Sequence, residues 1–357
     1  MKTIAVFFGG KSTEHDISIL SANLVINVLK TDYDIVPVYI TKNNDFYTGK
    51  MDNISVFKNF NPKKFKRITF VKNNIFLLKN KRSKFFKKID VAIPVLHGKN
   101  GEDGAIQGFF RLNDIPFAES DILGSGLTLN KIYTKIILEK SGIPFVDYEV
   151  IDKYKDYNAN SIIERLGFPL IVKPANLGSS IGISKADNID EFDKAVELGF
   201  MFDSKLIIEK CLTDFKEYNI SLLRVGDKIE SSLIEQPLSK HEILTFVDKY
   251  KTKTGKGMES LDRIFPAEIS SELASEITLY GIKAYEDFGL NGVVRIDFLY
   301  NGKLYLNEVN SIPGSMAYYL WKDKYTFKKL LEIIIASAEE DFEKNNKLTT
   351  YFDGTVL

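Results

Sequence analysis

The sequence predicts a multi-domain protein of the α/β and α+β classes. Its 357 residues exceed what one ordinary core of about 100–200 residues organises. Short apolar runs at 4–8, 35–40 and 91–96 are typical of buried parallel strands, and the first run ends in Gly9-Gly10. Apolar residues at helical spacing between the first two runs predict an intervening helix. Strands and helices therefore alternate through the first third of the chain, as in α/β domains.

The amino-acid composition limits which classes of binding partner we expect for this protein. Lys+Arg total 48 and Asp+Glu total 48, so the chain carries no net charge and shows no general preference for nucleic acid or acidic membranes. The single cysteine, Cys211, excludes an internal disulfide and fits a reducing cytoplasm. No stretch approaches the roughly 20 apolar residues of a membrane helix. We therefore expect a cytoplasmic protein without nucleic-acid or membrane partners.

Residues 53–89 form a basic segment that contains no Asp or Glu. Lysines interleaved with phenylalanines occur in nucleic-acid patches, but the neutral balance of the whole chain favours a surface hairpin in a lysine-rich chain. Two strand-like runs, RITF and IFLL, are joined across VKNN, which favours the hairpin.

Two further domains follow the first. Apolar spacing predicts a helix from Leu127 to Lys140, and later strand-like runs flank the loop ANLGS. The polar stretch 238–263 lacks periodicity, and so long a loop inside a compact protein is usually functional or mobile. A helix, two strands around 293–309 and a last helix complete the chain. We predict three domains, at residues 1–125, 126–236 and 237–357. The last domain includes the loop 238–263.

The register of the last two strands follows from their connection. Asn301-Gly302 between apolar runs is the strongest short signal for a two-residue type I′ hairpin loop. In that register Arg295 lies opposite Glu308. Asp297 becomes the diagonal neighbour of Glu308, with backbones roughly 7–8 Å apart.

The last of these strands ends in oxygen-bearing side chains. Glu308 and Asn310 are two residues apart, so they share one face, with Leu306 on the inner part of that face. Together with Asp297 they form two carboxylates and an amide, a donor set that suits a hard cation such as Mg²⁺. For the hairpin alone, an ordinary ion pair between Arg295 and either carboxylate is the better explanation.

Three glycine-rich segments are candidates for ligand binding. KPANLGSSIGISK, 173–185, offers backbone N–H groups, hydroxyls and Lys173 to phosphate, although a plain turn has the same composition and no P-loop pattern is present. His97 ends a buried strand at HGKNGEDGAIQG, and strand ends of α/β sheets bind ligands. Glu14 in GGKSTEHDIS follows the first strand at a helix N-terminus, where it also complements the helix dipole.

These segments resemble the D-alanine–D-alanine ligase family of the ATP-grasp superfamily. GGKSTEHDIS, HGKNGEDGAIQG, LIVKPANLGSSIGISK, IIEKCL, VDKY, RIDF and NEVNSIPGS occur in the order of that family. The resemblance implies a three-domain ATP-grasp fold with an N-terminal parallel-sheet domain and ATP between the central and C-terminal sheets. It also implies ligation of two D-alanines through an acyl phosphate for peptidoglycan synthesis. The alternative is a related ligase with another acceptor, such as a D-Ala–D-Ser ligase.

The resemblance further implies roles for individual side chains. The residues expected to bind ATP are Lys131, Lys173, Ser180, Glu209, Lys210, Leu212, Glu217 and Lys249. The ligands expected for two Mg²⁺ ions, which Mn²⁺ can replace, are Asp297, Glu308 and Asn310. The residues expected to contact the two amino acids are Glu14, His97, Arg295, Gly314 and Tyr319. A hydrogen-bonded triad is expected from Glu14, Ser179 and Tyr250.

Two positions depart from the family pattern. AESD stands at 118–121, where a TGSG-like turn is usual, and Tyr319 stands where a serine commonly holds the second carboxylate. Tyr250 resembles the dipeptide-forming members and not the depsipeptide-forming ones. D-Alanine and ATP are the implied small-molecule partners, and a homodimer is the implied assembly.

Overall fold

An N-terminal sheet begins the fold in the computed structural model, which describes residues 1–238 and 263–349. Its strands, in chain order, are β1 (Thr3–Gly9), β2 (Asp34–Ile40), β3 (Phe46–Thr48), β4 (Lys66–Val71), β5 (Asn74–Lys79), β6 (Arg82–Lys88) and β7 (Val91–Pro94). They lie in the order β6-β5-β4-β3-β2-β1-β7. β1 pairs in parallel with β2 and β7, whereas β3 to β6 pair antiparallel. The predicted parallel sheet is confirmed at its centre and is extended by an antiparallel flank.

The helices of this domain are α1 (His15–Leu29), α2 (Ser55–Lys58) and α3 (Ala105–Leu112), with a 3-10 turn at Pro62–Lys64. All seven residues of β1 are buried because helices cover the sheet. β4 and β5 turn tightly at residues 72–73, so the hairpin predicted for the basic segment is confirmed. Across residues 1–238 and 263–349, no helix is both long and apolar enough to cross a membrane.

The helix predicted from Leu127 to Lys140 is wrong at its start, because two helices meet there. α4 (Ile122–Leu129) ends before Asn130, whose ψ of 103° is extended, and α5 (Lys131–Ser141) begins after it. The Asn130 side chain accepts hydrogen bonds from two backbone N–H groups of the new helix, which a mid-helix asparagine does not do. Lys131 therefore occupies the first position of a helix, and its backbone N–H donates to the carbonyl oxygen of Ala175 at 2.9 Å.

The central sheet has the order β10-β9-β11-β8. Its elements are β8 (Tyr148–Asp152), α6 (Ala159–Leu166), β9 (Leu170–Pro174), β10 (Ser184–Ala186), α7 (Ile189–Gly199) and β11 (Lys205–Lys210). All its strand pairs are antiparallel, and the glycine-serine loop connects β9 to β10.

The C-terminal sheet has the order β13-β12-β16-β17, beside a two-stranded ribbon of β14 and β15. Its elements are β12 (Lys216–Val225), β13 (Lys228–Ser231), β14 (Gln236–Pro237), β15 (Arg263–Ile264), α8 (Ser271–Asp287), β16 (Val293–Tyr300), β17 (Leu304–Asn310), a 3-10 turn at Gly314–Leu320 and α9 (Phe327–Asn346). β12 and β13, which precede the predicted boundary at 236/237, pair into this sheet. The chain therefore passes from the central sheet to the C-terminal sheet between β11 and β12.

The predicted two-residue loop between β16 and β17 is wrong. Asn301 has a negative φ and only Gly302 has a positive one, 95°, so the type I′ turn, which needs both, does not form. Tyr300 pairs with Leu304 across a three-residue loop. The pairing of β16 with β17 is therefore shifted by one residue from the predicted pairing, and this shift begins at the turn.

A β-bulge at Asn307 shifts the register of β17 a second time. Asp297 lies opposite Glu308, and Arg295 lies opposite Asn310, so the predicted pairing of Arg295 with Glu308 is wrong. Because one extra residue changes which face later side chains occupy, Leu306 points to the core while Glu308 points to the other face. The predicted sharing of one face by Leu306 and Glu308 is wrong for the same reason.

One core joins the two ends of the chain. Buried residues of β1, β7 and α1 pack against the 3-10 turn at Gly314–Leu320 and against α9. Trp321 is fully buried there and donates its indole N–H to Ser221 Oγ, 2.9 Å away. The C-terminal sheet is thereby fixed against the N-terminal domain, because its last segment lies in the other domain's core.

A buried carboxyl group also connects the N-terminal domain to the C-terminal sheet. Glu119, in the AESD turn, has a φ of 73° and accepts a hydrogen bond of 2.8 Å from the backbone N–H of Val293. Gly292 permits this approach, since a Cβ there would lie 2.1 Å from Glu119 Oε2. Burial raises the pKa of Glu119 well above its usual value, against the lowering effect of the Val293 bond.

We expect Glu119→Gln to remove part of the pH dependence of stability. A carboxyl group whose folded pKa is raised contributes stability that is full below the unfolded pKa and is lost as pH rises through the folded pKa. Wild-type unfolding free energy should therefore fall relative to the variant by up to about 1.4 kcal/mol per pH unit above pH ~4.5. Urea unfolding from pH 5 to 8, with exposed Glu268→Gln as control, measures it; parallel curves for Glu119→Gln and wild type would contradict it.

Candidate active site

Two adjoining pockets lie where the domains meet. The smaller of the two, the small pocket, is lined by residues from all three predicted domains, including Glu14, His97, Glu102, Ser179, Arg295, Asn310, Ser311 and Gly314. The other, the large pocket, lies between the central and C-terminal sheets and is lined by residues including Lys131, Lys173, Ser180, Glu209, Lys210, Leu212, Glu217 and Asp297. Gly178 and Glu308 line both pockets. The two cavities therefore share a wall.

Glu14 and Ser179 connect the N-terminal domain to the glycine-serine loop. Glu14 immediately precedes α1, and its carboxylate accepts a short hydrogen bond from Ser179 Oγ. Ser179 and Ser180 have φ values of 54° and 57°, so the loop bends sharply toward Glu14. Gly98 is required opposite, because a Cβ there would lie 2.6 Å from Glu14 Oε2. The structure thus brings together two members of the predicted triad.

The charges of Glu14 and His97 depend on each other. Burial and the neighbouring carboxylate of Glu102 raise the pKa of Glu14, against the lowering effects of His97 and Ser179. Burial alone would lower the pKa of His97, but Glu102 and Glu14 outweigh burial and raise that pKa. The protonated form of His97 is thereby favoured beside the two carboxylates.

The small pocket contains further polar groups that sequence reasoning missed. His97 Nδ1 donates to the carbonyl oxygen of Ile312 at 3.0 Å and lies 3.8 Å from Glu102. The hydroxyl of Ser311 is buried without a hydrogen-bond partner, although it lines the pocket. A buried hydroxyl of this kind indicates a position for a ligand or water. Glu102 could have been found as the acid of HGKNGEDG, whereas nothing in the sequence distinguishes Ser311.

Arg295 and Asp297 form a buried two-bond ion pair on β16. Arg295 Nε and Nη2 donate to the two oxygens of Asp297 at 2.7 and 2.8 Å. Burial lowers the pKa of Arg295, but Asp297 outweighs burial and raises it well above the usual value. Asn310 also donates to Asp297, at 3.2 Å. The ion pair left open by the sequence therefore exists, and one guanidinium nitrogen is not used in it.

The donor set on this face fits a hard divalent cation. Asp297 and Glu308 are direct cross-strand partners, closer than predicted, and Asn310 follows on the same face. Each carboxylate oxygen can accept more than one contact, so the Arg295 pair leaves Asp297 able to act as a ligand. Among residues 1–238 and 263–349, no three His, Cys, Asp or Glu side chains cluster as a metal site. The set formed by Asp297, Glu308 and Asn310 contains only two such side chains, because its third member is an amide. Its oxygen atoms are nevertheless the ligand type that Mg²⁺ prefers.

A Lys-Glu-Lys cluster borders the large pocket. Lys173 on β9 and Glu209 on β11 are diagonal cross-strand neighbours and form a short ion pair. Burial raises the pKa of Glu209, but Lys135 and Lys173 outweigh it and lower that pKa to about 2. Glu209 therefore carries its negative charge near neutral pH. Lys131 donates to the carbonyl oxygen of Leu177 and so holds the start of the glycine-serine loop.

Lys135 was missed by sequence reasoning. Its ammonium group lies 2.7 Å from Glu209 Oε1 and 3.3 Å from the carbonyl oxygen of Val146. It also lies over the rings of Phe145 and Tyr148, at 5.3 and 5.8 Å from their centroids. Its spacing of four residues from Lys131 on one helix was the available signal, because residues so spaced share a face.

Tyr319 lies outside both pockets. Its hydroxyl donates to Glu235 Oε1 at 2.7 Å, and the Arg263 guanidinium lies over its ring at 4.5 Å. Arg263 also pairs with the other oxygen of Glu235 at 2.9 Å. The tyrosine at the position of a common serine is thus engaged in a buried polar cluster behind Arg295. Lys249, Tyr250 and most of the predicted loop 238–263 lie outside the described residues.

The fold and the paired pockets define an enzyme of the ATP-grasp class. The D-ala D-ala ligase N-terminus family model matches residues 3–120, and the D-ala D-ala ligase C-terminus model matches residues 137–336. The chain belongs to the D-Ala–D-Ala ligase family, which confirms the resemblance read from the motifs.

Individual relatives agree with this assignment. The D-alanine--D-alanine ligase of Thermosipho melanesiensis is 36% identical over 364 residues, which cover 100% of this chain and 98% of that protein. The D-alanine-D-alanine ligase structure from Helicobacter pylori has a TM-score of 0.76 at 28% identity and covers 94% of this chain and 98% of its own. The VanG D-Ala:D-Ser ligase structure from Enterococcus faecalis has a TM-score of 0.81 at 29% identity and covers 94% and 99%.

We expect Tyr319→Phe to lower stability without changing the KM of either amino acid. The hydroxyl donates to a buried charged carboxylate, and such bonds contribute about 1.5–3 kcal/mol. Urea unfolding and steady-state kinetics, with neighbouring Tyr318→Phe as control, measure both quantities. A tenfold rise in the KM of one substrate at unchanged stability would instead identify Tyr319 as a substrate contact.

Proposed function

We propose that this chain is an ATP-dependent ligase that joins two D-alanines to D-alanyl-D-alanine for peptidoglycan synthesis. The observation that carries the proposal is the shared wall: Glu308 and Gly178 line both the small and the large pocket. A nucleotide in the large pocket and an amino acid in the small one would therefore meet at Glu308. Transfer of a phosphoryl group from one to the other requires this proximity. Membership of the family supports the same reaction.

Glu14 and His97 suit the two ends of the first substrate. The Glu14 carboxylate would pair with its ammonium, and His97, whose pKa is raised, would direct its carboxylate toward the large pocket. Ser179 holds Glu14 in place while its loop covers the neighbouring cavity. The substrate carboxylate attacks the γ-phosphate of ATP, which gives an acyl phosphate and ADP. Exclusion of water from the pocket would protect this intermediate from hydrolysis.

The charged and polar lining of the large pocket suits ATP. Lys131 and Lys173 would contact phosphate oxygens, with Ser180 in the loop above them. Leu212 and the end of β11 would read adenine, and Glu217 would bind the ribose. These placements support the nucleotide roles expected from the resemblance.

The metal-binding residues would be Asp297, Glu308 and Asn310, which face the junction of the pockets. Mg²⁺ bound there would neutralise charge on the transferring phosphoryl group. Arg295 would stabilise the oxyanion that develops when the second amine attacks, through the nitrogen that Asp297 does not use. The Gly314 N–H borders the same pocket and would help hold the second carboxylate.

Three further properties belong to the proposal. We place the boundary between the central and C-terminal domains between β11 and β12, because sheet membership changes there. The single cysteine supports a cytoplasmic location, and the family resemblance supports a homodimer.

The activity is tested by ADP release with ATP, Mg²⁺ and D-alanine, followed by a screen of second amino acids. We expect D-alanine to act as both donor and acceptor. Release of ADP only when D-serine is supplied as acceptor would overturn D-Ala–D-Ala ligation in favour of D-Ala–D-Ser ligation. No D-amino-acid-dependent ADP release from folded protein would reject the ligase assignment.

We expect Glu308→Gln to lower kcat by roughly 10²–10³-fold while the protein stays folded, because electrostatic groups at a transferring centre contribute on this scale. The substitution keeps size and removes the charge that the metal requires. Steady-state ADP release and a thermal unfolding curve, with exposed Glu268→Gln as control, measure it. Near-wild-type turnover would show that Glu308 is no metal ligand.

We expect the binding of the first D-alanine to weaken as pH falls through the raised pKa of Glu14, since only the carboxylate pairs with an ammonium. The acidic limb of kcat/KM should therefore lie above pH ~4.5, the ordinary range of Glu. Glu14→Gln should flatten this limb and lower kcat/KM about 30-fold or more at pH 7.5. An unchanged limb in the variant would assign the titration to another group.

A further inference from the structure

Lys135 is a buried cation that reaches neither pocket directly. Only 3% of its side chain is exposed, and its ammonium group bonds Glu209 and the Val146 carbonyl oxygen. Glu209 in turn pairs with Lys173, which is 14% exposed and borders the large pocket. One carboxylate therefore lies between two ammonium groups, and only one of them faces the pocket.

The charges of this cluster do not cancel. Burial lowers the pKa of Lys135, and contact with Glu209 opposes that effect. With both lysines protonated and Glu209 ionised, the three side chains carry one net positive charge next to the large pocket. If Lys135 were neutral, Glu209 and Lys173 would form a closed pair with no net charge. Lys173 would then offer much less attraction to a phosphate group, because its field would be cancelled by a carboxylate in direct contact.

The packing around Lys135 does not require its charge. Lys135 is a residue of α5, and its ammonium group faces the rings of Phe145 and Tyr148. A methionine side chain would fill the same space beside these rings. Glu209 would remain paired through Lys173. A charged residue at a buried position where an apolar side chain of similar size would fit indicates an electrostatic role.

We propose that Lys135 is a positioning residue for nucleotide phosphate: by engaging one oxygen of Glu209, it leaves Lys173 with net positive charge toward the large pocket. The inference rests on the proposed function, since it assigns that pocket to a nucleotide. It concerns phosphate recognition alone, so adenosine, which lacks phosphate, serves as the reference ligand.

The first test compares Lys135→Met with Lys140→Met, an exposed lysine of the same helix, by calorimetric titration with ADP and with adenosine. We expect Lys135→Met to weaken ADP binding roughly tenfold, the size of effect that one uncompensated charge has at this range. Adenosine affinity should change less than twofold, and Lys140→Met should match wild type. Equal losses for ADP and adenosine would show a structural role and overturn the inference.

The second test restores the charge without restoring the lysine. The double variant Lys135→Met/Glu209→Gln again has one net positive charge, on Lys173. We expect its ratio of ADP to adenosine affinity to return toward the wild-type ratio, whereas a packing defect would persist or worsen. A ratio no better than that of Lys135→Met would overturn the inference, as would normal ADP binding by Lys135→Met. If wild type itself binds no nucleotide, the proposed function fails instead.

Discussion

One extra residue, Asn307, determines what the C-terminal sheet can do. A strand alternates its side chains strictly, so β17 without a bulge would continue to direct every second residue into the core. The bulge ends that alternation after Leu306, and Glu308 turns onto the face of Arg295 and Asp297. Val309 then rejoins the core opposite Ile296, so the apolar packing continues under the site. The arrangement combines a continuous core with three oxygen-bearing side chains on the opposite face.

Several ionisable groups in this molecule are buried together with partners of opposite charge. Arg295 has Asp297, Arg263 has Glu235, and Glu209 has two lysines. Desolvating single charges would cost several kcal/mol each, and pairing offsets that cost only with good geometry. The two arginine combinations are neutral by themselves, whereas the lysine cluster is not. Its surplus charge lies beside the cavity proposed for the most highly charged ligand.

Much of the fold followed from local sequence, and most of the residues that the family resemblance named line one of the two pockets. Apolar runs identified β1, β2 and β7, and the motif segments placed residues such as Glu14, Lys173 and Glu308 around the junction of the pockets. The details that failed depend on interactions beyond the local pattern. Asn301-Gly302 favours a type I′ turn, but the bulge and the core contacts of Leu306 set another register. Asn130 looked like a helix residue, yet its side chain caps the next helix. Lys135 and Ser311 have no local signature, because their importance comes from what packs around them.

The hydrogen bond from Ser179 to Glu14 is a physical connection through which the ligands proposed for the two cavities would influence each other's binding. A ligand that draws Glu14 toward an ammonium alters the partner of Ser179, and Gly178 beside it belongs to the walls of both cavities. Reciprocity then follows from linkage: whatever factor the amino acid imposes on nucleotide affinity, the nucleotide imposes on amino-acid affinity. An inhibitor that engages Glu14 would thus change the apparent affinity of the neighbouring cavity without entering it.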